Sequence, residues 1–279
     1  MDIGIAMFAT DYAMRPDDLA AECESRNFES IWFPEHTHIP ASRLSPWPGG
    51  SELPKEYWHT HDLFIALMAA AGATKKIKIG SGICLVIERD PIVMAKEVAT
   101  LDQLSNGRLI FGIGGGWNAE EMENHGTPFK RRWKVLRERI EAMKEIWANE
   151  EAEYHGEFTN FDKIWSYPKP AQKPHPPILL GTFNGGLKRV VNYCDGWIPT
   201  GFNPGMLPDS IKELQELAAQ AGRPPVPVSI FGSSPKEEDL AKHQELDVAR
   251  AVLMLPSADK DTLLPMLDEY APLVSKFAA

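Results

Sequence analysis

The amino-acid sequence predicts an α/β chain folded as a single (β/α)8 TIM barrel over residues 1–279, and three observations point there. Short apolar runs suited to buried parallel strands alternate with amphipathic helical segments. The alternation repeats eight times, the number that closes a barrel, whereas an open doubly wound sheet would alternate without that count. The length of 279 residues is ordinary for an undivided α/β barrel.

The elements follow in order. Asp2–Phe8 is an apolar run, and Pro16–Arg26 follows as a helix that opens on proline. Ser30–Phe33 is the second strand. A long connection, His36 to Thr60, then carries proline, glycine and tryptophan, and helix His61–Thr74 ends the unit. It leaves from a strand end, the catalytic face of a barrel, so it reads as a pocket wall or lid. Ile77–Ile83 is the third strand, and Asp90 and Pro91 open helix Pro91–Leu104 as cap and first-turn proline. Leu109–Ile113 runs into a turn of three glycines, Gly114, Gly115 and Gly116, ahead of helix Lys130–Trp147.

A second long connection, Asn149 to Pro177, shows hairpin-like aromatic alternation and a proline-rich return before strand Ile178–Leu180. It starts from a helix end, hence from the face opposite the mouth, with enough chain to climb over the barrel. Helix Gly185–Tyr193 follows. Three more units close the series: Gly196–Pro199 with Pro208–Ala221, Val226–Phe231 with Lys236–His243, and Ala249–Leu255 with Lys260–Lys276.

Composition narrows the partners. The formal net charge is −10 and the basic residues form no long run, which argues against nucleic acid or an anionic membrane as the main partner. A small-molecule substrate is expected instead. Cys23, Cys84 and Cys194 are far apart and odd in number, so no disulfide framework or cysteine zinc site is expected. The N-terminus, MDIGIAMF, shows no signal peptide or membrane span, and a cytoplasmic protein is expected.

Barrel sites draw on residues just after each strand. Here the titratable residues among them are few: Glu35, His36 and His38, with Asp11 near the rim. His36–His38 and His59–His61 are H-x-H patterns that suit a metal, but later strand ends near Gly181, Thr200 and Pro256 offer no further ligand, so no metal is expected. There is no G-x-S-x-G elbow, and no cysteine has a histidine near it in sequence. GIGGGW follows the fourth strand and lacks the last glycine of a dinucleotide fingerprint. A glycine turn from a strand toward a helix offers bare backbone N–H groups to an anion. Backbone donors, apolar walls and one acid–histidine pair suit a flat, phosphate-bearing redox cofactor.

Several segments carry a family resemblance across most of the chain. WFPEHTHIP, IGSGICLVIERDPIVMAKEVATLDQLSNGRLIFGIGGGW, the helix ending in KEIW, PPILLGTFNGGLKRVVNYCDGWIP and AVLMLP resemble the luciferase-like monooxygenase family, in particular its short group that uses the deazaflavin F420. The resemblance implies a homodimeric barrel with the cofactor at the mouth and a non-prolyl cis peptide, here Gly82–Ile83, behind its ring. Ser81 and Cys84 would flank that bond. Gly114, Gly115, Gly116 and Trp117, with Gly181, Thr182, Phe183 and Asn184, would line the ribityl and phosphate portion, and Lys188 or Arg189 would offer a charge. His36, with Glu35 beside it, would either move the proton that accompanies hydride transfer or hydrogen-bond the cofactor.

Two positions depart from the family pattern. Trp117 stands where sugar-phosphate dehydrogenases carry a carboxylate, and Glu120 and Glu121 are expected to face solvent at a helix start. Thr182 stands where relatives often have glycine. The expected activity is F420-dependent hydride transfer with a small organic substrate. The alternatives are an FMN-dependent flavin monooxygenase, or a non-catalytic flavin- or F420-binding barrel. Trp47, Trp58, Phe8 and Phe202 are candidates for an apolar pocket wall.

Overall fold

The computed structural model describes residues 1–182, 184–199 and 204–278. Its elements are β1 (Asp2–Ala6), α1 (Pro16–Ser25), β2 (Ser30–Phe33), α2 (Glu56–His59), α3 (Leu63–Ala73), β3 (Lys78–Ser81), α4 (Pro91–Leu104), β4 (Leu109–Gly114), α5 (Ala119–Asn124) and α6 (Arg132–Ala148). There follow β5 (Ala152–His155), β6 (Asn160–Ile164), β7 (Ile178–Gly181), α7 (Leu187–Tyr193), β8 (Gly196–Trp197), α8 (Leu207–Gln220), β9 (Ser229–Ser233), α9 (Glu237–Glu245), β10 (Arg250–Met254) and α10 (Lys260–Phe277).

Eight strands form one parallel sheet in the order β9-β10-β1-β2-β3-β4-β7-β8. A parallel bridge between Trp197 and Val228, with the Trp197 amide donating to Pro227 O at 3.0 Å and the Phe231 amide to Pro199 O at 3.0 Å, joins the two ends. The sheet thereby curls into a nearly closed barrel, as the strand count predicts. β9 starts later than the apolar run Val226–Phe231 suggests. Pro225 and Pro227 have no N–H for a ladder, so regular pairing begins only at Ser229.

Side chains fill the barrel interior. Ala6, Trp32, Ile110, Leu179, Ile198 and Val252 form one buried cluster, and Ile83 and Phe231 pack on it while half-buried. Trp32 is the large piece, its indole N–H donating to Ser30 Oγ at 2.8 Å. A Cβ at Gly80 would overlap the Trp32 ring, and one at Gly112 would overlap the Ser81 carbonyl. The strands therefore stay bare where the tryptophan crosses, and Ile83 with Phe231 forms the floor of the mouth.

The two long connections lie in different places. Residues 34–60 stay at the mouth: Thr60 bridges Thr10, the His61 amide donates to Ala9 O at 2.8 Å, and Thr60 Oγ1 donates to His36 O at 2.9 Å. The second connection does form an antiparallel hairpin, β5–β6. It stays on the barrel's outer flank and does not climb over the mouth. The Phe158 amide donates to Glu138 of α6 at 2.6 Å, Tyr154 Oη to Glu141 at 2.7 Å, and Gln172 binds Asp102 of α4. Satisfying these helix carboxylates, of which Glu138 and Asp102 are buried, holds it there. Among the described residues, no helix is long and apolar enough to cross a membrane.

Candidate functional site

His36 sits just past β2, where the chain enters the long loop, and its side chain is only 7% exposed. Its Nδ1 lies 2.7 Å from Glu121 Oε2, and the other Glu121 oxygen accepts the Thr37 amide at 3.1 Å. Glu121 is 1% exposed. The expectation that both Glu120 and Glu121 face solvent is thus overturned for Glu121. Asn118 caps α5 by accepting the Glu121 amide at 3.2 Å, and this helix start turns the Glu121 side chain inward. Glu120 grips the loop instead, accepting the Ser45 amide at 3.0 Å and the Ser45 hydroxyl, while Ser45 Oγ accepts the Ala119 amide at 3.0 Å.

Glu35, next to His36 in sequence, serves a different neighbour. Successive side chains on extended backbone point opposite ways. Its Oε1 pairs with the Arg89 guanidinium, and its Oε2 accepts the Leu85 amide at 2.7 Å. Arg89 also binds Asp62 at 2.9 Å. Burial works against the Arg89 charge, but Glu35 outweighs it and holds the guanidinium above its ordinary value. The acid–histidine pair of the site is therefore His36–Glu121, 85 residues apart.

The segment after β3 supplies the floor. The Gly82–Ile83 peptide is cis, as the resemblance implies. Ile83 lies over two glycines: a Cβ would come within 2.6 Å of it from Gly114 and 3.0 Å from Gly181. Ser81 is buried and donates its hydroxyl to Gly112 O at 2.7 Å, so it turns into the sheet. Cys84 is fully buried as well. Burial and the nearby Glu35 push its thiol well above the usual range, so it is no nucleophile at neutral pH.

The glycine turn supplies donors. Gly116 has φ +64°, a left-handed conformation natural to glycine. No acceptor among the described residues takes the amides of Gly116 and Trp117. Gly115 packs on Trp133, which would lie 2.9 Å from a Cβ there, and the Arg189 guanidinium stands 4.6 Å from the Trp133 ring centroid. Lys188 is exposed. The Thr182 carbonyl accepts the Trp197 indole N–H at 3.0 Å. Phe183, the side chain of Asn184 and Phe202 lie outside the described residues.

Aromatic rings wall the mouth. Tyr57, from α2 in the long loop, is the hub, with ring centroids 4.7 Å from Phe8, 5.1 Å from His36, 5.7 Å from Trp47 and 6.4 Å from Trp117. Trp117 also meets the His36 ring edge at 5.7 Å. Trp58 faces outward instead, half exposed beside His59. His59 bonds Asp11 at 2.8 Å and His61 is exposed; among the described residues no three His, Cys, Asp or Glu side chains group to hold a metal.

Sequence reading missed Glu121, Arg89 and Tyr57. For Glu121 one signal was present: N-x-x-E over Asn118–Glu121 is a capping pattern that marks a helix start. It does not say which way that start faces.

These features fit a flat cofactor with an anionic arm: a glycine-bared floor at Ile83, amides at Gly116 and Trp117 with no acceptor among the described residues, and a buried imidazole among the aromatic rings of the mouth. The family profile described as luciferase-like monooxygenase matches residues 12–245. An uncharacterised protein of Mycobacterium tuberculosis is 37% identical over 277 residues, covering 97% of this chain and 98% of its own. The FMNH2-dependent dimethylsulfone monooxygenase of Pseudomonas putida is 31% identical over 165 residues, 58% of this chain and 44% of its own. In structure, an F420-dependent secondary alcohol dehydrogenase in complex with an F420–acetone adduct superposes with TM-score 0.78 at 19% identity, covering 100% of both chains. The profile match and the full-length relative make this chain a member of the luciferase-like monooxygenase family, among oxidoreductases and monooxygenases.

Proposed function

We propose that this protein is an F420-dependent oxidoreductase that moves a hydride between the deazaflavin and a small organic substrate, with His36 as the proton partner. One observation carries the reading: a buried imidazole with one nitrogen committed to a carboxylate, at the edge of a mouth walled by aromatic rings. With Nδ1–H donated to Glu121, Nε2 has no partner among the described residues and is able to accept a hydroxyl proton or return it. Glu121 fixes that tautomer and stabilises the imidazolium.

When bound, the deazaflavin supplies the hydride acceptor or donor. The chain's part is to place it: Ile83 would back the ring, the amides of Gly116 and Trp117 would meet the ribityl and phosphate arm, and Arg189 would add a positive charge. Tyr57, Trp47 and Trp117 would keep water from the reacting carbon. The full-length superposition on an F420-dependent alcohol dehydrogenase supports this reading.

An FMN-dependent monooxygenase is the second reading, favoured by the dimethylsulfone monooxygenase relative at 31% identity. Fluorescence titration of the purified protein with each cofactor separates the two. F420 is expected to bind and then to be reduced by a small secondary alcohol. Tight FMN binding without an F420 response overturns the proposal in favour of the second reading. F420 binding without turnover of any alcohol or carbonyl compound points to a non-catalytic barrel.

A further inference from the structure

The buried acids around the His36–Glu121 pair include one that faces Glu121 and that the hydride-transfer reading does not use. Glu88 ends a short 3-10 turn, Val86–Glu88, after β3; its side chain is 1% exposed, and its Oε2 has no hydrogen-bond partner among the described residues. Charged and titratable groups face it from every side. Glu121 comes from α5, Glu35 from the end of β2, Arg89 from the next position and Arg139 from α6. His125, just past α5, has Nε2 4.0 Å from Glu88 Oε2. Thr37 borders the group, its hydroxyl 2.8 Å from that nitrogen and 2.9 Å from His38 Nδ1.

Two of the three carboxylates are matched. Glu35 has Arg89 and the Leu85 amide; Glu121 has His36 and the Thr37 amide. Glu88 has no cation of its own. Burial, followed by repulsion from Glu121 and Glu35, pushes its carboxyl up to about 9. His125 does not compensate, because burial and the adjacent His38 hold it below the ordinary histidine value.

We propose that Glu88 is a positioning residue for His36: as a neutral acid it leaves Glu121 the single anion against the imidazole, and its ionisation tightens the imidazole's hold on its proton. The consequence for turnover rests on the reading of His36 as proton partner. The coupling itself needs no cofactor. A second anion beside Glu121 acts on both ring nitrogens through a poorly screened interior, where charge–charge effects are strong.

The test follows the His36 ring nitrogens by 15N NMR in the cofactor-free protein from roughly pH 6 to 10.5, a range that brackets both groups. In the wild type His36 is expected to show an inflexion near pH 9. Glu88→Gln, a permanently neutral mimic, is expected to remove it and leave the curve below about pH 8 unchanged. Glu88→Asp should restore an alkaline inflexion, and the alkaline limb of kcat/KM should move with the NMR curve. No inflexion in the wild type, or one that survives in Glu88→Gln, overturns the proposal. Should Glu88→Gln not fold, infrared spectra of the wild type decide: a protonated carboxyl stretch that is absent at pH 7, or unchanged through pH 10, overturns it as well. If the coupling is found but His36→Ala keeps full turnover, Glu88 stands as proposed and the proton role of His36 falls.

Discussion

The two ends of the barrel both bury carboxylates, and they balance them in opposite ways. At the foot, Glu29 accepts Arg250 Nε at 2.6 Å and Nη2 at 2.5 Å and pairs with Lys78 at 2.7 Å, while Asp2 stands 3.7 Å from Arg250. Two acids meet two permanent cations there. Burial alone would raise Glu29, but Arg250 and Lys78 outweigh it and pull the carboxyl down to about 2. At the mouth, Glu35 pairs with Arg89 and Glu121 with His36, and burial with the repulsion of these two acids pushes the Glu88 carboxyl up to about 9. The foot is matched for stability. The mouth keeps surplus acid beside a titratable ring, an arrangement that costs stability and tunes a proton.

The contrast appears as opposite pH dependences. Glu29 is lowered in the fold, so its stabilisation is present above the unfolded carboxyl value and fades as pH falls toward 2. Glu88 is raised, so the protein loses stability as pH climbs from the unfolded value toward 9.

The largest expected effect breaks the contrast at the mouth. His36→Ala should lower kcat by about 10²- to 10⁴-fold, and because it strands the buried Glu121 it should also lower the melting temperature. A loss under about tenfold would remove the imidazole from proton transfer. Next in size, Arg250→Ala strands Glu29 beside Lys78 alone and should destabilise the protein by about 3–5 kcal/mol in urea unfolding, with cofactor affinity unchanged. A penalty below about 1 kcal/mol would mean that the foot is not held by this pair. Glu88→Gln should do the reverse at its end, raising Tm at pH 8 by about 2–6 °C and by less at pH 5. Equal shifts at both pH values would show that volume or hydrogen bonding, not charge, set the change. Smallest is Ser45→Ala, which should cost about 0.5–1.5 kcal/mol. Hydrogen exchange should quicken at residues 37–60 and stay constant at the foot; uniform quickening would contradict a local latch.

Much of the fold is legible in the chain. The apolar run Leu109–Ile113, the Asp90–Pro91 helix start and the proline-rich hairpin return each carry a local signal, because strand burial, caps and turns depend on near neighbours. Half of the site is legible too: His36 stands right after a strand, and the Gly82–Ile83 and Gly114–Gly116 segments follow two others. Its partner was not. Glu35 is adjacent in sequence and Glu121 is remote, yet alternation along extended chain sends Glu35 to Arg89 and leaves His36 to Glu121.

By itself, then, the sequence determined the eight-unit barrel, the address of the mouth and the glycines that leave it bare, since periodicity and backbone conformation are properties of short stretches. Only the tertiary structure decided which acid faces His36, that Glu88 has no ion-pairing arginine or lysine among the described residues, and that Tyr57 returns from a long loop to meet His36 and Trp117. Those are matters of distance and dielectric between segments dozens of residues apart. They come into being only when the barrel closes and water leaves.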